Sequence, residues 1–124
     1  MNRDMDLIRR IVLATSDLAP RQELSCLDGV TPEEFAAHAV WLEEAGLIKA
    51  RITTFISGEP PDVEIERLTW DGCEFADSVR SETLWKKAKE QVIKPSASFS
   101  FGVLRDWLKA EIQQGFPTLR SVGN

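Results

Sequence analysis

The sequence predicts a mainly α domain with one small β-hairpin, arranged in the helix-then-hairpin order of a winged helix. Three observations carry that expectation. Val30 to Gly46 has the markers of a helix at both ends. It is followed at once by two extended stretches separated by Ser57-Gly58-Glu59-Pro60-Pro61-Asp62, a turn by composition. Helical patterning then resumes at Thr69 and continues to the end of the patterned chain.

The first helix is expected from Asp4 to about Ala14. Met5, Ile8 and Val12 fall on one face, and Leu7 and Ile11 widen the stripe. Asp4 and Asp6 lie in the first turn, with Arg9 and Arg10 further on, an order that suits the helix dipole. Residues 15–30 form a connector punctuated by Pro20 and Gly29, in which Glu23 to Leu27 is a candidate short strand. The second helix follows, with Thr31 as N-cap, Pro32 at the first helical position and Glu34 placed to complete a capping box. Val30 and Phe35 have the spacing of a hydrophobic staple, and Gly46 is placed to end the helix in a left-handed conformation. Phe35, Ala39 and Leu42 cluster on its core side, with Ala45 and His38 on the flank. Glu33, Ala37, Val40 and Glu44 lie opposite, with Trp41 at the edge.

Leu47-Ile48 leads into an extended stretch, Lys49 to Ile56. Val63 and Ile65 alternate with Glu64 and Glu66 in the returning strand, Val63 to Leu68. Thr69 caps the next helix, whose apolar pattern is Trp70, Cys73, Ala76 and Val79. That helix is expected to run, with a break near Ser81, to a stop at Pro95. After a loop over Pro95 to Ser98, a last helix covers about Ser100 to Gln114. Phe101, Leu104, Leu108 and Ile112 form its stripe, with Trp107 beside it. Gly115 and Pro117 end it, and residues 116–124 read as a flexible tail. Residues 1–94, the helix within 98–115 and the tail are taken together as one domain.

Composition narrows the function classes. The chain has 124 residues, and 15 Lys and Arg against 20 Asp and Glu give a formal charge of −5. With 43% hydrophobic and 28% charged residues it has the balance of a folded soluble domain. Its longest apolar runs are too short for a membrane span, and the charged amphipathic start does not resemble a signal peptide. Cys26 and Cys73 are far apart and are expected as reduced core thiols of a cytoplasmic protein. With two cysteines and one histidine, no metal site is expected, and no cofactor either. His38, the sole imidazole, is expected to be a packing residue. No glycine loop suited to phosphate is present, so no enzymatic activity is expected.

Several segments resemble a known family. Arg-Asp-Met-Asp-Leu-Ile-Arg at Arg3 to Arg9 is similar to the start of domain-of-unknown-function family 2513 of bacteria and phages. Similar too are the run Glu33 to Ile48, E-E-F-A-A-H-A-V-W-L-E-E-A-G-L-I, and the run Arg67 to Arg80, R-L-T-W-D-G-C-E-F-A-D-S-V-R, followed by Thr83, Trp85 and Lys87. The resemblance implies a winged-helix fold and residence in phages or other mobile elements, and supplies no catalytic residues. More loosely, the segment from His38 to Ile48 resembles the recognition helix of winged-helix repressors, and Leu68 to Gly72 resembles their post-wing segment. In those repressors the helix lies in the DNA major groove.

The charges point elsewhere. Thr31 to Gly46 contains four glutamates and neither Lys nor Arg. Glu59 to Asp77 contains seven acidic residues and one arginine. Carboxylates brought against phosphates each cost on the order of 1 kcal/mol in water, and more where water is excluded. The expected function is therefore binding to a protein partner through Glu33, Glu34, Val40, Trp41, Glu43, Glu44 and the acidic wing, with Val40 and Trp41 as exposed anchors. An inhibitor of a host defence complex, such as an anti-CRISPR protein, fits the size and the charge. The competing expectation is a dimeric transcription regulator that binds DNA through the same helix with Lys49 and Arg51. Basic residues otherwise collect in Arg80 to Lys94, where Lys86, Lys87 and Lys89 are candidate contacts for nucleic acid or an acidic partner. The separation of charge between the two halves also suits self-association as a homodimer.

Overall fold

The structure, a computed structural model, describes residues 1–94 and 100–114. The expected Pro95 stop, the loop over Pro95 to Ser98, Gly115 and the tail lie outside the described residues. Contacts divide the chain into two compact units, Met1–Ala76 and Asp77–Asn124. The described residues are mainly helical, with one two-stranded antiparallel sheet.

The first unit opens with α1 (Met5–Ser16), capped by Asp4, whose carboxylate accepts the Asp6 and Leu7 backbone N–H groups at 3.0 and 3.2 Å. All five residues of the expected stripe, Met5, Leu7, Ile8, Ile11 and Val12, are buried. In the connector, Leu24 forms a single antiparallel bridge with Ile65 through two backbone hydrogen bonds of 3.0 and 2.8 Å. This bridge replaces the short strand expected over Glu23 to Leu27. Arg10 reaches across to the Asp28 carbonyl at 2.7 Å and pins the connector to α1.

Helix α2 (Pro32–Glu44) has the expected capping box between Thr31 and Glu34. It ends at Gly46, whose φ of +77° is in the left-handed region that glycine tolerates. Phe35, Ala36, Ala39 and Leu42 are buried, and so is His38 at 1% exposure. Ala45, expected on the core flank, is exposed, because it already belongs to the cap that turns the chain away.

Strands β1 (Ile48–Thr53) and β2 (Asp62–Leu68) pair antiparallel. The register pairs Lys49 with Arg67 but Ala50 with Ile65, so Glu66 is an extra residue in β2. The bulge shifts the alternation. Val63 and Ile65 point inward before it and Leu68 after it, while Glu66 and Arg67 both face solvent. Helices α1 and α2 both pack against the hairpin and against each other, and their apolar faces with Leu47, Ile48, Val63 and Ile65 make the core of this unit.

Helix α3 (Trp70–Val79) begins in the first unit. Thr69 Oγ1 accepts the Gly72 N–H at 3.0 Å and donates to the Gly46 carbonyl at 2.6 Å, joining the start of this helix to the end of α2. Of the expected stripe, Ala76 and Val79 face inward, and Trp70 and Cys73 do not. Trp70 is 81% exposed and Cys73 is exposed, whereas Phe75, Ala76 and Val79 are buried. Gly72 sits against the Leu47 carbonyl, which fixes the rotation of the helix and turns Trp70 and Cys73 outward. Cys26 is exposed as well, so neither cysteine is a core thiol.

In the second unit the break expected near Ser81 is present. Ser81 caps α4 (Glu82–Ala88) through the Leu84 N–H at 3.1 Å, and a π-turn, Lys89–Ile93, follows. Leu84, Trp85, Ala88 and Val92 are buried. Helix α5 (Phe101–Gln113), capped by Ser100, packs on α4 and the π-turn through Leu104 and Leu108. Its stripe ends differently from the expectation: Ile112 is 42% exposed and Glu111 is buried.

Candidate docking groove beside the second helix

The outward side of α2 and the hairpin turn enclose a groove of about 460 Å³. Helix α2 supplies Glu33, Ala36, Ala37, Val40 and Trp41, at the spacings that align residues on one helix face. The turn supplies Gly58, Glu59, Pro60 and Pro61. The two alanines leave room that larger side chains would fill. Pro60 and Pro61 form a stiff facing wall, because their rings fix the backbone φ. Gly58, with φ at +86°, lets the turn reverse ahead of them. The lining is mainly apolar, with the exposed carboxylates of Glu33 and Glu59 at its rim.

Trp41 is held in place from below. Its ring meets the His38 ring edge to face, with centroids 5.1 Å apart and planes at 77°. His38 is fixed in turn by two backbone groups. Its Nε2 accepts the Asp4 N–H at 2.9 Å, and its Nδ1 lies 2.7 Å from the Glu34 carbonyl. An acceptor at Nε2 and a carbonyl facing Nδ1 together require the neutral ring with its proton on Nδ1. The histidine is thus the packing residue that the sequence suggested. On the other side of Trp41, a second hollow of about 510 Å³ is bordered by Met1, Asn2, Arg3, Glu44 and Ala45.

The candidate contact residues separate by location. Glu33, Val40 and Trp41 line the groove, and Glu44 lines the second hollow. Val40 and Trp41 are half-buried instead of fully exposed, since the turn and the His38 ring cover part of them. The Glu34 carboxylate is committed to the cap, where it accepts from the Thr31 N–H at 3.3 Å and hydroxyl at 3.0 Å. Glu43 is exposed and borders neither hollow.

Lys49 is exposed on β1. Arg51 is exposed on β1 and paired with two carboxylates. Its Nη2 donates to both Glu23 oxygens, at 2.9 and 2.8 Å, and to Glu64 Oε2. These contacts raise the Arg51 pKa, first through the Glu64 hydrogen bond. The guanidinium holds the Glu64 carboxyl below its ordinary value, while the hydrogen bond to Glu64 pushes Glu23 above its own. Lys86 is exposed on α4, and Lys87 and Lys89 are half-buried there and in the π-turn, all within the second unit.

The composition of the turn could have pointed to Pro60 and Pro61 as site residues. Helix periodicity places Ala37 on the outward side with Glu33 and Val40, but Ala36 carries no comparable signal, since what it contributes is the absence of bulk. Among the described residues, no group of three or more His, Cys, Asp and Glu side chains is arranged to hold a metal ion. Nor is any described helix long and apolar enough to cross a membrane.

Comparison with known proteins adds a family. An uncharacterized protein of Haemophilus influenzae is 29% identical over 117 residues, covering 92% of this chain and 98% of that protein. No solved structure matches the chain. The family model described as Hypothetical protein (DUF2513) matches residues 2–98, so the chain belongs to the DUF2513 family.

Proposed function

We propose that this protein works by docking another protein onto the outward side of α2 and the hairpin turn. The observation that carries this reading is the apolar groove of about 460 Å³ beside Trp41, rimmed by Glu33 and Glu59. A concave apolar surface with an aromatic wall and a polar rim is the usual anatomy of a small protein interface. The order of α1, the Leu24 bridge, α2 and the hairpin supports a winged helix in which the hairpin is the wing. Residues 17–31 contain no helix, so α2 alone takes the place that a helix-turn-helix fills with two closely joined helices.

Charge favours a protein partner over DNA. The helix that would enter a major groove has no Lys or Arg, and the hairpin's Arg51 is engaged by two carboxylates. A host defence complex, whose nucleic-acid channel is basic, is a partner of the right sign. Affinity capture from host cells with the wild type and with Trp41→Ala and Glu44→Lys tests the proposal. Each variant is expected to lose the partner, and retention of every partner by both would remove this surface from consideration. In a mobility-shift assay at about 50 mM salt no duplex DNA should be retained. Salt-sensitive retention there would favour the regulator reading instead.

A further inference from the structure

We infer that the occupant of the groove is a basic protein segment in which one aliphatic or aromatic side chain is flanked by lysine or arginine. The inference rests on the docking reading above and adds the partner's chemistry.

Ala36, Ala37, Val40 and the two prolines offer methyl and methylene groups and no side-chain donor or acceptor, and Trp41 adds an aromatic wall with a single indole N–H donor. They select by shape and apolarity. The space is larger than one side chain, so an anchor and part of its backbone can enter together. The rim supplies the sign. Glu33 lies in the first turn of α2 and Glu59 on the facing turn, and both are exposed and free of ion pairs among the described residues. Cationic side chains on either side of the anchor would meet one carboxylate each. An acidic or phosphorylated segment would meet like charge at both ends, since the charged residues lining the groove itself are Glu33 and Glu59. A helix and a proline-stiffened turn form the site before binding, which limits the ordering cost of association.

Fluorescence anisotropy with labelled peptides on the intact chain tests this. The probes are a peptide with a central Leu-Phe flanked by lysines, the same peptide with glutamates as flanks, the lysine-flanked peptide with Gly-Gly at its centre, and oligolysine. Only the first is expected to bind, and its affinity should fall as salt is raised. Glu33→Lys and Glu59→Lys, both at exposed positions, should each weaken it about tenfold. Ala37→Leu, which fills the floor while keeping a good helix former, should abolish it. Equal binding of the glutamate-flanked peptide, or of oligolysine, would overturn the inference. So would binding that survives Ala37→Leu in a variant with native circular dichroism. If no peptide binds but Ala37→Leu abolishes capture of the cellular partner, the groove remains a docking site and the basic segment is wrong. If capture also survives Ala37→Leu, the docking reading falls with it.

Discussion

At the scale of single residues, His38 has the largest structural task for its size. It is buried, and both ring nitrogens are used by backbone groups, one from the cap of α1 and one from α2. His38→Ala would remove the acceptor of the Asp4 N–H and open a cavity beside Trp41. We expect a loss of about 2–4 kcal/mol in urea unfolding, together with weaker partner binding because Trp41 loses its support. A stability equal to wild type would show that the ring is dispensable.

The charged cluster on the hairpin gives a second residue-level expectation. Glu64 is held below the ordinary value of 4.5 by its hydrogen bond with Arg51, and Glu23 is raised above it by its hydrogen bond with Glu64, against the pull of the guanidinium. The signs oppose each other. The lowered Glu64 contributes stability above 4.5 that is lost as pH falls through its folded value, whereas the raised Glu23 contributes below 4.5 and loses that as pH rises through its folded value. Arg51→Gln removes the main pull on Glu64. Carboxyl resonances followed by NMR should then show Glu64 titrating at higher pH than in the wild type. An unmoved Glu64 would mean that the ion pair is not held in solution.

At the scale of elements, the features encoded locally were legible and the rotational settings were not. The α1 stripe, the Thr31–Glu34 box and the Gly46 terminus depend on residues within one or two turns, and the structure has all three. The inward face of α3 depends on a distant carbonyl. Periodicity places Trp70, Cys73, Ala76 and Val79 on one face; the close approach of Gly72 to Leu47 keeps Ala76 and Val79 inward but brings in Phe75 in place of Trp70 and Cys73. The bulge at Glu66 and the π-turn are also set by pairing and packing, which short-range patterns do not reveal. For the same reason the groove was only half legible. The α2 residues could be placed on one face, but the turn that closes over them could not be placed.

Gly72→Ala tests the account of α3. A Cβ there would lie 1.9 Å from the Leu47 oxygen, and that carbonyl also accepts the Thr69 N–H at 3.0 Å. Moving it disturbs the junction of α2, the hairpin and α3 together. We expect a destabilisation of about 3 kcal/mol, read as a lower urea midpoint. A neutral outcome would mean that this junction gives way more easily than backbone packing should allow.

At the scale of the whole molecule, stability and binding draw on different parts of the chain. Buried apolar side chains from both units make up the cores, and only Thr15, His38 and Glu111 are buried polar or charged residues among those described. The described ion pairs are at the surface, where such pairs contribute little to folding and are screened by salt. On the proposed docking reading, the net charge of −5 and the concentration of carboxylates around α2 and the hairpin would serve recognition more than the fold. Raising the ionic strength from about 50 mM to about 500 mM should hardly change the urea midpoint, yet weaken partner binding by an order of magnitude or more. The loss should come mainly from slower association, because a charged rim steers encounter while the apolar groove governs how long the complex lasts. Unchanged association kinetics across that range would remove charge from the recognition step and leave the groove as an apolar contact alone.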